Sequence, residues 1–120
     1  MAQPLPEVGT LVVEEIHIYP VHGEPGQTLT EVDVEQQGLA GDRRKKAAVQ
    51  LVSTQDVTPD TRANLVLSLT SQQLAGSIGS VLRVGAAQLR VTGAPTSCPG
   101  VYAEVASPGT IRVGDIVRPD

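Results

Sequence analysis

Hydrophobic and polar residues alternate along much of this chain in short runs, separated by glycine and proline. The first run, 11–19, carries Val13, Ile16 and Ile18 and stops at Pro20. The segment Val21-His22-Gly23-Glu24-Pro25-Gly26 is a loop of turn formers. From Thr28 to Glu35, Val32 and Val34 alternate with Glu31, Asp33 and Glu35, which predicts a half-exposed antiparallel strand. A polar loop with two glycines is expected over 36–46, a short strand over 49–53 and a polar stretch broken by Pro59-Asp60 over 54–61. Alternation resumes at 64–69 through Leu65, Leu67 and Leu69. Ser71 to Ala75, with a capping residue and a terminating Gly76, predicts about one or two helical turns. Beyond it, 81–84 and 88–92 flank Gly85-Ala86 as a hairpin, 101–105 is a strand, Ser107-Pro108-Gly109-Thr110 is a turn, and 111–117 closes the chain. Strings Leu82-Arg83-Val84-Gly85 and Ile111-Arg112-Val113-Gly114 echo each other as two strand ends, each turned by a glycine. About eight short strands spaced by turns predict a barrel or sandwich, and a closed barrel leaves no free sheet edge.

Composition strengthens the β reading. Seventeen Val and five Ile outnumber eleven Leu and one Met, and β-branched side chains favour a pleated surface. The 120 residues suffice for one domain, read as 11–120 with a flexible lead-in at 1–10. Two Tyr without Phe or Trp cannot build a stacking platform, and a net charge of −4 does not suit a polyanion, so no nucleic-acid partner is expected. No apolar run approaches the roughly 18 residues of a membrane helix, so no membrane partner is expected. Residues 1–9 lack the basic and apolar regions of a signal peptide. The expectation is a cytoplasmic protein with a reduced thiol. One Cys excludes an internal disulfide and a Cys-rich zinc site.

The familiar phosphate-cradling loops, zinc helices and nucleophile elbows are absent, which leaves one basic loop, one polar segment and one cysteine for chemistry. Four of the nine basic residues fall at 43–46, within Gly38-Leu39-Ala40-Gly41-Asp42-Arg43-Arg44-Lys45-Lys46. Elsewhere five basic residues face thirteen acidic ones. A small anion would suit this patch, with the glycines admitting backbone N–H groups. The alternative is a solvated loop in which Asp42 merely pairs with an arginine. In Thr61-Arg62-Ala63-Asn64, Arg62 offers a planar fork to a phosphate or carboxylate and Asn64 offers hydrogen bonds to a heterocycle. The alternative is a strand-entry turn. His17, flanked by isoleucines, reads as structural, and His22 carries no signal. Cys98 lies in Ala94-Pro95-Thr96-Ser97-Cys98-Pro99-Gly100, a loop setting that leaves both a working thiol and an inert buried one open.

Taken in order, these segments resemble a MOSC domain, the module named for the C-terminal domain of molybdenum-cofactor sulfurase. The resemblance rests on Ile16-His17-Ile18-Tyr19-Pro20 before a glycine loop, Val32 to Glu35, Gly38-Leu39-Ala40-Gly41-Asp42-Arg43 and Thr61-Arg62-Ala63-Asn64-Leu65. It continues through Leu82-Arg83-Val84-Gly85 with Leu89, Cys98, and Gly109-Thr110-Ile111-Arg112-Val113-Gly114-Asp115. It implies a mostly β, single-domain barrel with at most one or two short helices. It also implies binding of the molybdenum cofactor (molybdopterin) by Gly41, Asp42, Arg43, Arg44, Arg62 and Asn64. Cys98 would be the catalytic residue, as persulfide carrier or molybdenum ligand. Pyridoxal phosphate would enter only through a separate cysteine desulfurase acting as sulfur donor, and a molybdoenzyme would accept the product. Two other readings remain: a cofactor-dependent reductase of N-hydroxylated compounds served by an electron-donor protein, and a non-catalytic barrel. The sequence departs from many relatives at Ser97, where they carry proline, and at Arg44-Lys45-Lys46, where they carry histidine or glycine after the G-D-R.

Overall fold

The computed structural model describes residues 11–21, 23–43, 48–59, 61–95 and 99–119. The strands in chain order are β1 (Leu11–Ile18), β2 (Gln27–Leu29), β3 (Glu31–Glu35), β4 (Gly38–Leu39), β5 (Val49–Ser53) and β6 (Leu65–Leu67). They continue with β7 (Val81–Val84), β8 (Ala87–Gly93), β9 (Val101–Ser107), β10 (Gly109–Arg112) and β11 (Ile116–Pro119). One short helix, α1 (Ser71–Gly76), lies between β6 and β7. Thr70 caps it, and Gln73 completes a capping box with the Thr70 backbone.

Strands β11, β7, β8, β9, β5, β6 and β1 pair in that order, and β1 returns to β11 to close a seven-stranded barrel. Every junction is antiparallel except β5–β6, which is parallel. A parallel pair needs a crossover. The polar residues 54–64 supply it, beginning with a turn of 3-10 helix at Thr54–Asp56. Strand β2 extends the sheet beyond β1, and β10, β3 and β4 form a separate three-stranded sheet.

Inward side chains such as Val13, Ile16, Leu51, Leu65, Leu89, Val91 and Ile111 fill one core. Val66 and Val52 point the other way and are buried with Ala63 in a second, small cluster. β6 is therefore apolar on both faces, and its alternation of leucines does not mark an exposed side.

The mostly β architecture, the closed barrel and the short helix follow the sequence expectation. Three boundaries differ. The run 28–35 divides at Thr30, because β2 stays with β1 while β3 moves to β10. The run 111–117 divides at a turn in which Gly114 takes φ +94°, so that β10 and β11 serve different sheets. The loop expected over 36–46 contains β4, paired with β3 through Val34 and Leu39. Each break lies where the chain changes sheet, which depends on distant partners. The lead-in 1–10 and His22 lie outside the described residues.

Strand β1 carries an irregularity at Glu14, where its register against β6 shifts between Val13 and Glu15. The shift explains how two consecutive glutamates both face outward between buried Val13 and Ile16. It also puts Glu15 on the outer face with His17.

Candidate functional site

Three segments far apart in sequence meet where β1 ends. The backbone N–H of Tyr19 donates to Asp42 Oδ1 at 2.8 Å, and Asn64 Nδ2 donates to Asp42 Oδ2 at 3.1 Å. Asp42 thus ties the loop after β4 to the end of β1 and to the residue that precedes β6. Gly41, at φ +85°, turns the chain so that Asp42 faces inward. This left-handed conformation favours glycine.

Asn64 is fully buried. Its amide nitrogen also donates to the His17 carbonyl at 3.1 Å, and its Oδ1 accepts from the Gln50 backbone N–H at 3.0 Å. Backbone bonds from Asn64 N–H to Gln50 O and from His17 N–H to Asn64 O complete the junction. One carboxamide therefore bridges β1, β5 and the Asp42 loop. A buried amide is tolerated because its polar atoms are paired.

Tyr19 is buried, and its hydroxyl donates to the Ala63 carbonyl at 3.2 Å. Burial pushes its pKa above the ordinary value of about 10. The Asp42 and Glu15 carboxylates act in the same direction, and Arg62 opposes them. Arg62 lies over the Tyr19 ring, 4.4 Å from its centroid, and donates from Nη2 to the Glu24 carbonyl at 2.9 Å. Gly26 approaches the same ring so closely that a Cβ there would overlap it. The loop between β1 and β2 is thus held down by Arg62 and fitted around Tyr19.

Two depressions flank this junction. A cleft of about 420 Å³ is lined by His17, Tyr19, Thr28, Pro59, Thr61 and Arg62. A smaller one, of about 250 Å³, is lined by Gly41, Asp42 and Arg43 together with Glu35 and Gln37. Gly41, Asp42, Arg43, Arg62 and Asn64 are thus gathered into one region, but Arg43 and Arg62 serve different depressions. Arg44 and Cys98 lie outside the described residues.

His17 enters this region although its isoleucine neighbours point into the core. It is half-buried on the outer face of β1, with Nε2 2.8 Å from Glu15 Oε1 and Nδ1 3.2 Å from Thr28 Oγ1. Its ring stacks near Tyr19, with centroids 6.4 Å apart. The sequence signal was available in the spacing Glu15, His17, Tyr19, which places all three on one side of an extended strand. Among the described residues, no group of three or more His, Cys, Asp or Glu side chains is placed to hold a metal. No described helix is long and apolar enough to cross a membrane.

A closed, mixed seven-stranded barrel with a polar junction at the end of β1 is the class of structure defined here. Solved structures share the fold. YuaD from Bacillus subtilis superposes with a TM-score of 0.73 at 14% identity, over 90% of this chain and 94% of that one. YiiM from Escherichia coli gives a TM-score of 0.69 at 16% identity, over 90% and 69% of the two chains. YiiM from Geobacillus stearothermophilus gives 0.69 at 15%, over 92% and 75%. YuaD and YiiM are small stand-alone MOSC-family proteins. At these identities the likeness is one of fold, and the fold is MOSC-like. No protein-family model matches the chain, and no curated protein matches it in sequence.

Proposed function

We propose that this protein is a MOSC-type domain that binds the molybdenum cofactor and handles sulfur or metal through Cys98. One observation carries the reading. The segments Ile16–Pro20, Gly38–Arg43 and Thr61–Leu65, which bear the sequence resemblance, converge on Asp42 through bonds to Tyr19 and Asn64. The junction lies beside two clefts, one lined by Arg62 and the other by Arg43.

The described residues fit the anionic part of such a cofactor. Arg62 is exposed, yet the Tyr19 ring and the Glu24 carbonyl fix its guanidinium at the mouth of a cleft. A planar fork held in place suits a phosphate. Arg43 lines the neighbouring depression, and Arg44 follows it in the basic run. Asp42 and Asn64 would act by fixing the loop and the segment that present these arginines. When bound, the cofactor would supply a molybdenum centre able to take a soft thiolate ligand or accept sulfur. Cys98 would contribute that thiolate.

The test is purification from a cofactor-competent host, with assays of molybdenum, pterin and persulfide. The expected result is cofactor in the native protein, and persulfide or a metal–sulfur signature lost in Cys98→Ser with the fold intact. Arg43→Ala with Arg44→Ala should weaken cofactor binding while leaving the protein folded. A protein that acquires neither metal nor pterin, and whose Cys98 is alkylated only in denaturant, would overturn the reading.

A further inference from the structure

The contacts of His17 add a proton-linked element to the cleft in which the proposed function gives Arg62 a phosphate, so the inference deepens that reading. Its ring bridges Glu15 Oε1, at 2.8 Å from Nε2, and Thr28 Oγ1, at 3.2 Å from Nδ1. An ionised carboxylate only accepts, so Nε2 must carry a hydrogen toward Glu15. In the neutral ring Nδ1 is then an acceptor, and the Thr28 hydroxyl donates to it. Protonation reverses this second bond. Nδ1–H becomes the donor, Thr28 Oγ1 accepts, and the hydroxyl hydrogen is released to turn elsewhere.

Thr28 lines the 420 Å³ cleft with His17 and Arg62. Taking up one proton therefore does two things there. It adds a positive charge to the wall, and it frees a hydroxyl donor in the cleft that Arg62 also lines. We infer that the cleft between His17, Thr28 and Arg62 is a proton-linked site for a tetrahedral oxyanion of the phosphate or sulfate class. Arg62 supplies the permanent charge, and His17 with Thr28 supplies the part that depends on pH.

The groups around His17 permit this. On its own strand it faces Glu15 and, just past the strand's end, the phenol of Tyr19; from β2 it faces Thr28; the charged residue that lines the same cleft is Arg62. A bound dianion would add attraction for a positively charged ring. Linkage makes the effect reciprocal: the oxyanion raises the proton affinity of His17, and the proton raises affinity for the oxyanion. Thr61 lines the cleft, but its hydroxyl accepts from the Thr58 backbone N–H at 2.8 Å and is not assigned a part.

The site does not require the molybdenum cofactor, so its test is separate from that of the proposed function. Inorganic sulfate is the first probe, because it stays a dianion while histidine titrates. On the full chain, sulfate should bind about tenfold more tightly near pH 5.5 than near pH 8. The imidazole resonances of His17, assigned by their loss in His17→Gln, should titrate at higher pH when sulfate is present. His17→Gln should keep weak binding but lose its pH dependence. Thr28→Val should reduce binding only on the acidic side, and Arg62→Gln should reduce it throughout. Comparing inorganic phosphate with a nucleoside monophosphate identifies the source: equal affinity marks the free ion, and tighter binding of the larger molecule marks a phosphate terminus. Sulfate affinity that does not change with pH, or that keeps its pH dependence in His17→Gln, would overturn the inference. So would His17 resonances that ignore sulfate in the unaltered protein, a readout that needs no variant to fold.

Discussion

Replacing Asn64 with Ala tests whether the junction at the end of β1 holds the barrel together. The substitution deletes three hydrogen bonds: to the His17 carbonyl, to Asp42 Oδ2, and from the Gln50 backbone N–H. Asn64 itself is fully buried, while His17, Gln50 and Asp42 are half-buried. Leaving a buried polar group unpaired costs about 1–3 kcal/mol. Water can reach part of this junction, which favours the lower end for each partner. A loss of about 3 kcal/mol is therefore expected, a large fraction of the roughly 5–15 kcal/mol that stabilises a typical domain. Urea unfolding should show a lower midpoint with an unchanged slope, since the surface exposed on unfolding stays the same. Asn64→Asp should be worse, because it places a second carboxylate against Asp42 and removes both amide donors. A loss below about 1 kcal/mol for Asn64→Ala, with the slope preserved, would refute the bracing role.

Two other perturbations follow from the packing around Tyr19. Gly26→Ala would drive a methyl group into the Tyr19 ring and toward the Ile18 carbonyl, so a destabilisation of about 1–3 kcal/mol is expected in thermal or urea unfolding; a neutral outcome would mean that the loop lifts freely. The raised pKa of Tyr19 predicts a particular alkaline response. The folded state keeps the phenolic proton at a pH where the unfolded chain has released it, so this contribution is complete below about pH 10 and is lost as pH rises through the folded value. Unfolding measured across that window should show stability falling with pH, and Tyr19→Phe should flatten the fall.

The alternation of Val32 and Val34 with acidic residues, the hairpin around Gly85-Ala86 and the capped turn after Thr70 were legible because each is a local pattern. A period of two, a glycine at a tight turn and a hydroxyl before a helix act within a few residues. The mostly β barrel followed from many such strands needing closed edges. Local patterning could not say that Thr30 separates two sheets, or that β5 and β6 run parallel.

The candidate site divides in the same way. Residue type alone marked Arg62 and the Gly41-Asp42-Arg43 loop as suited to anions, and those chemical properties hold in any fold. Residue type could not show that Asp42 and Asn64 bind each other, or that Tyr19 forms the platform under Arg62. Nor could it show His17, between two core isoleucines, facing a cleft with Thr28 opposite it in β2. These contacts join residues 11 to 47 positions apart, as in the bonds from Thr28 to His17 and from Asn64 to His17. Which segments extend and which side chains carry charge is set residue by residue along the chain. The tertiary structure alone decided which of them meet, because register and closure are set by the whole set of strand pairings and by no single run of residues.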